Sequence, residues 1–429
     1  MSHTIELRNA ATKALEQMRA RGFEQAQVTA VATRQDEVNI AHGEASLLRS
    51  TDSRRMGLVG IVDGRKAATE LTDLRDEAVR EGVEALFAAA STSPRDEANK
   101  VSSGQKARIV QGPQESDVAL LTDKARELIE FCGRETPRVN LVEAVIAHTL
   151  TRSHTVTTGG SEIETQVGHH SLGAFGTARE GKATSSFAAI GGSCHDLAGA
   201  NASTLFGFEE MARNLEKSIH ARPAAGKFVG DVVLTPEAVS DFLNWFLGQL
   251  CDVQLIAGSS LYRERVGDAV GSKLLTLRSR FDAPGVAAVT GDGFVAKPVT
   301  VLDAGILKTL TPSLYGSLKT HLPHVPIVAE GWELAAGDTP REKLVSDTTR
   351  GALVGRLSMG NPSSNGDFAG VIKNSFLIEG GKVGHALSET MISGNVAQML
   401  KDVVAVSRDR LDTGAWLLPW VRIGGLHFS

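Results

Sequence analysis

The chain has 429 residues, of which 42% are hydrophobic and 22% charged. That is enough apolar material for more than one core, so a disordered chain is excluded and two domains are expected. Lys plus Arg number 45 against 50 Asp plus Glu, a net charge of −5, and a mildly acidic chain lacks the overall electrostatic footprint of a nucleic-acid binder.

Glycine is frequent, 44 residues against 13 prolines, which points to many tight turns and hence to antiparallel sheet. The three cysteines, Cys132, Cys194 and Cys251, are far apart and form no CxxC. Neither a disulfide framework nor a cysteine zinc knuckle is expected, and reduced thiols fit the cytoplasm. The first twenty residues carry charges throughout, unlike a signal peptide. The longest apolar runs, such as 57–62, fall far short of the ~20 residues of a spanning helix. A soluble, cytoplasmic protein is expected, without a membrane partner.

In chain order, residues 4–21 read as a helix stopped by Gly22. Alternation then sets in at Val28, Ala30 and Ala32 and again at Val38 and Ile40, with Gln35, Asp36 and Glu37 as a polar turn between them. Strand-like runs follow at 45–51 and 55–62, and Asp63-Gly64 turns the chain into 65–69. Asp73 opens a helix, 92–116 reads as an extended surface crossing, and a second helix covers about 116–132, ended by Gly133. Residues 138–192 return to strands around the turn Thr158–Ser161, and 208–221 is helical.

The stretch 223–226 is the best boundary, giving domains 1–222 and 223–429. Beyond it, 227–234 reads as a strand, and Pro236 begins a helix that runs to about Leu250. Residues 270–311 read as mostly strand, 312–365 as loop-rich, and 371–387 as a hairpin around Gly380-Gly381. Ser393 caps a short helix before the last strand. Strands and helices mix without βαβ alternation, so the class is α+β, two domains each of largely antiparallel sheet with a few packed helices.

Most chemical motifs test negative. Gly267 to Lys273 has the wrong spacing for a phosphate loop, and Gly291–Ala296 is followed by strand residues rather than a helix. Ser103 and Lys106 match SxxK without its companion motifs. There are twelve histidines but no HExxH. The neighbours His169 and His170 face opposite sides of a strand, and Cys194, His195 and Asp196 are likewise too close in sequence to chelate one ion. Trp416 and Trp420 read as anchors of the last strand.

The order of several stretches resembles the TldD/PmbA family, often called modulators of DNA gyrase. They are 64–74, 226–236, 259–267, 292–307, 376–382, 393–395 and 419–426, so the resemblance covers most of the chain. One kind of subunit in that family carries a zinc peptidase motif, HExxxH, on the helix after the 226–236 strand. Laid on that pattern, this chain puts Asn244, Trp245 and Gln249 where histidine, glutamate and histidine would stand. Amides are poor zinc ligands and indole is no base at neutral pH, so the site looks erased. Trp245 also reads simply as core beside Phe242 and Phe246.

The resemblance therefore implies a PmbA/TldE-type subunit with no catalytic residue, no metal and no cofactor of its own. It is expected to pair with a TldD-like catalytic subunit that holds zinc, or to form a homodimer where that partner is absent. It would act on extended peptides in cytoplasmic proteolysis and peptide maturation. The alternatives are a metallopeptidase with unrecognised zinc ligands, or a regulatory protein that binds DNA gyrase.

Overall fold

Long alternating runs in the first half of the chain build one large sheet. The computed structural model describes residues 2–429. Helix α1 (Ser2–Arg21) leads into β1 (Gln25–Ala41), β2 (Glu44–Val62) and β3 (Arg65–Leu71), followed by α2 (Asp76–Thr92). Next come β4 (Lys106–Gln111), α3 (Val118–Glu135), β5 (Val139–Thr157), β6 (Glu162–Glu180), β7 (Ala183–Thr184) and β8 (Ala188–Cys194). The strand order is β3-β2-β1-β5-β6-β4, with β7 and β8 also on β6; all pairs are antiparallel except β4 with β6.

Even-numbered residues of β1 face the helices. Val28 and Ala30 pack with Leu15, Met18, Val83 and Leu86 of α1 and α2. Farther along, Val38 and Ile40 pack with Leu121 and Leu128 of α3 and with Phe208 of α4 (Phe208–Lys217). Between these two apolar patches a polar row crosses the same face: Asp36 is paired with His148, and His148 with His170. The opposite face is lined by hydroxyl pairs, such as Thr29 with Thr155 at 3.0 Å and Ser153 with Thr165 at 2.7 Å.

The second sheet begins after residues 223–226, which lie between α4 and β9 (Phe228–Leu234). Its strands are β10 (Leu277–Ser279), β11 (Thr300–Asp303), β12 (Ile306–Leu307), β13 (Trp332–Leu334), β14 (Arg350–Val354), β15 (Arg356–Leu357) and β16 (Asp367–Lys373). The rest are β17 (Ser375–Glu379), β18 (Lys382–Leu387), β19 (Met391–Asn395), β20 (Val403–Asp412) and β21 (Trp416–Phe428). Strand β9 sits between parallel β14 and antiparallel β21. One face packs on α5 (Pro236–Gln249), burying Phe242, Leu243 and Phe246 with Val232, Leu234, Val421 and Ile423. Shorter helices follow: α6 (Asp252–Ala257), α7 (Leu314–Thr320), α8 (Arg341–Ser346) and α9 (Val396–Lys401). The α+β class with two sheet-rich regions is thus as expected.

Several boundaries differ from the sequence reading. Gln35, Asp36 and Glu37 form no turn; they lie inside β1, and 45–62 is one strand, not two. Asp36 and Glu37 are only 2% and 4% exposed. Ser50 serves the first, and Arg49 and Asn39 serve the second, so charge survives mid-strand because it is fully bonded. The crossing at 92–116 contributes β4 to the sheet. Helix α2 starts at Asp76, since the Asp73 carboxylate accepts from the Arg75 amide instead of capping at its own position. Helix α3 runs through Gly133 to Glu135, and α4 ends at Lys217.

Segment 270–311 is mostly irregular, with three short strands, because its turns leave no long run to pair. Segment 312–365 holds two helices and three short strands. The α9 cap is Asn395, whose side chain accepts from the Gln398 amide; Ser393 is in β19. Among the described residues no helix is long and apolar enough to cross a membrane.

Candidate functional site

Helix α5 starts because Thr235 is extended and Pro236 presets the first helical position. Its buried face is Ala238, Val239, Phe242, Leu243, Phe246 and Gln249. The three positions singled out from sequence diverge along it. Asn244 is exposed. Trp245 is half-buried, its ring edge 3.1 Å from where a Cβ on Gly366 would stand; Gly366 has φ +92°. Gln249 is 3% exposed and its Oε1 accepts from the Leu261 amide at 3.1 Å. The helix turns Asn244 outward and Gln249 inward, and the two amides and the indole do not fit a zinc ion. Among the described residues no group of three or more His, Cys, Asp or Glu is placed to hold a metal ion.

The first turn of the same helix opens on a cavity of about 380 Å³ between the two sheets. From the first half it is lined by β8 at 188–191, by Phe206 and by Met211 and Leu215 of α4. From the second half come Glu237, Asn374, Leu411, Thr413, Trp416 and Trp420. Glu237 is exposed, but the solvent it meets is that of a concave, largely apolar space. This surrounding protein pushes its carboxyl up to about 7, the charge of Asp241 adds to the rise, and Arg356 opposes it. Asp241, one turn on, is also raised by burial, although it accepts from the Leu357 amide at 3.1 Å. Sequence reading missed this pair. The signal was two carboxylates four residues apart on one helix face just after Thr235-Pro236.

Inter-domain contacts fix the walls. Arg341 grips both carboxylate oxygens of Glu210, and the Ser193 amide donates to the Thr413 carbonyl at 3.1 Å. The Asn374 amide donates to the Phe187 carbonyl at 3.4 Å. Elsewhere, His169 packs against Gly285, and the Ser193 hydroxyl donates to the Pro284 carbonyl at 2.9 Å. His169 is pushed down to about 4 by burial and by His148, His170 and His195 around it. Burial raises the Cys194 thiol to about 11, which makes it a poor nucleophile.

Residues 226–429 match the family model for the PmbA/TldA metallopeptidase C-terminal domain. Its second half is thus similar to the C-terminal domain of the PmbA/TldA metallopeptidases. It is 27% identical over 228 residues to a metalloprotease of Methanothermobacter thermautotrophicus, covering 48% of this chain and 50% of that one. It is 25% identical over 226 residues to the zinc metalloprotease TldD homolog of Saccharolobus solfataricus, again 48% of this chain and 50% of the other. The chain thus spans about half the length of the curated relatives it matches. Two solved structures share its fold over nearly the whole chain. TldE of Thermococcus kodakarensis superposes with a TM-score of 0.82 at 17% identity, covering 98% of this chain and 100% of that one. A proposed modulator of DNA gyrase from Bacteroides thetaiotaomicron superposes with a TM-score of 0.84 at 19% identity, covering 98% of each.

Proposed function

We propose that this chain is the PmbA/TldE-type, non-catalytic subunit of a TldD-type zinc metalloprotease complex that acts in cytoplasmic proteolysis and peptide maturation. The observation that carries the reading is the state of α5. Where a zinc peptidase of this family would present two imidazoles and a carboxylate, this helix has an exposed amide, an indole packed on Gly366, and an amide spent on the Leu261 backbone. Water activation needs a metal or a base at one point, and these side chains supply neither. The role left to the chain is to hold extended peptide and to complete the partner's site. Where the partner is absent, a second copy of the chain covers the same surface.

Mixing the purified chain with a TldD-like protein tests this. The expected outcome is no peptide hydrolysis by the chain alone, no stoichiometric zinc in it by elemental analysis, and cleavage of an unfolded peptide by the mixture at a rate above that of the TldD-like protein alone. Chelator-sensitive cleavage by the isolated chain would overturn the reading in favour of a metallopeptidase with its own ligands. Failure to bind any TldD-like protein, together with retention of DNA gyrase in a pull-down, would overturn it in favour of a gyrase regulator.

A further inference from the structure

Strand β8 pairs with β6 on one side only, in a register running from His170–Cys194 to Gly176–Ala188. Antiparallel pairing sends the N–H and C=O of successive residues to opposite sides. The Ser193 amide points away from β6, to Thr413, so Ala189 and Gly191 must point the same way. The Phe187 carbonyl belongs to that set too and takes the Asn374 amide. Between these two tied ends, among the described residues, the N–H and C=O groups of Ala189 and Gly191 have no protein partner. Both residues are exposed and both line the inter-domain cavity. A Cβ on Gly191 would meet nothing within 4 Å, so the sheet face over this edge is open.

An open edge of this kind pairs with an extended chain. The chemistry beside it selects which. Phe206, Met211, Leu215, Leu411, Trp416 and Leu418 make an apolar wall. Of the acids near it, Glu210 is neutralised by Arg341, whereas Glu237 and Asp241 together face the single Arg356. The excess is negative, and it suits a cation.

We propose that an extended peptide adds as a strand to Ala189–Gly191, with a bulky apolar side chain filling the cavity and its free amino terminus against Glu237. This rests on the reading of the chain as a peptide-handling subunit and gives that role a ligand class, but it needs no catalytic partner. The high-lying Glu237 carboxyl supports it, because an ammonium group beside it compensates the charge that burial disfavours. Binding therefore tightens as pH rises through 7.

The test uses the isolated full chain and the peptide Leu-Val-Thr-Val-Thr with a fluorophore at its C-terminus, read by anisotropy at pH 8. Saturable binding is expected. Acetylating the amino terminus should weaken it at least about fivefold, the loss of one charge-assisted hydrogen bond. Glu237→Gln should abolish the difference between free and acetylated peptide. Ala189→Pro removes an amide that points away from β6, so it leaves the ladder intact and should weaken binding at least about tenfold. If that variant is unstable, N-methylating alternate amides of the peptide removes the same bonds without touching the protein. Absence of saturable binding, or equal affinity for the N-methylated peptide, overturns the proposal. Either result leaves the partner-mixing experiment to decide the subunit reading by itself.

Discussion

Arg341 lays its guanidinium 4.0 Å over the ring of Trp420 while its nitrogens hold both carboxylate oxygens of Glu210. One side chain thus ties the start of α8 and the last strand, in the second half, to α4 in the first. A planar guanidinium can stack and bind bidentately at once, and an ammonium cannot. Arg341→Ala should lower stability by about 1–2 kcal/mol, since the pair is only partly buried, and Arg341→Lys should recover little of it. Urea denaturation checks this; full recovery by lysine would show that charge alone matters.

Gly168 and Gly112 let two backbones meet. A Cβ on Gly168 would stand 1.7 Å from the Pro113 carbonyl oxygen, and one on Gly112 would stand 1.9 Å from that of Gly168. The Pro113 carbonyl also accepts a hydrogen bond from the His148 ring, whose Nε2 stands 3.0 Å away. Gly168→Ala should force segment 112–117 off the sheet, break that bond, and cost about 3 kcal/mol or more. A melting temperature within a degree of the parent would contradict the close approach.

His169, packed against Gly285 of the second half, makes stability depend on pH. His169 has a folded pKa of about 4 against 6.5 for the free group. Between those values the unfolded chain binds more protons, so stability is fully present above about pH 6.5 and falls as pH drops toward 4. The contribution is at most about 3 kcal/mol. Denaturation midpoints measured from pH 7.5 to 4.5 should decline, and His169→Gln should flatten the decline. An unchanged slope in that variant would place the titration elsewhere.

Alternation and turn residues carried most of the first sheet: Asp63-Gly64 and Thr158–Ser161 are the turns between β2 and β3 and between β5 and β6. The continuous β1 was hidden because Asp36 and Glu37 look like turn residues, and only their partners from β2 and its neighbours, Ser50 and Arg49, make them strand residues. Local sequence cannot show a partner that lies on another strand. The same limit applies to the site. The start and the buried face of α5 follow from Thr235, Pro236 and its apolar spacing. That Glu237 opens on a cavity depends on α4 and β8, twenty or more residues away in the chain. Asn244, Trp245 and Gln249 were legible as residues that cannot bind zinc, whereas their divergence needed the helix in place.

That divergence makes the last prediction. Asn244→His, Trp245→Glu and Gln249→His together would rebuild the letters of the family's zinc motif. The position of 249 is buried and its present amide accepts from the Leu261 backbone, while 244 is exposed. Imidazoles at these two sites point apart, and zinc requires them about 2 Å from one ion. The triple variant should bind no stoichiometric zinc after desalting. It should also lose about 1–3 kcal/mol, because the Leu261 amide is left without its acceptor. Elemental analysis and thermal melting read the two outcomes separately. One zinc per chain with unchanged stability would mean that α5 can turn both positions inward, and the helix would then be a dormant metal site rather than a packed one.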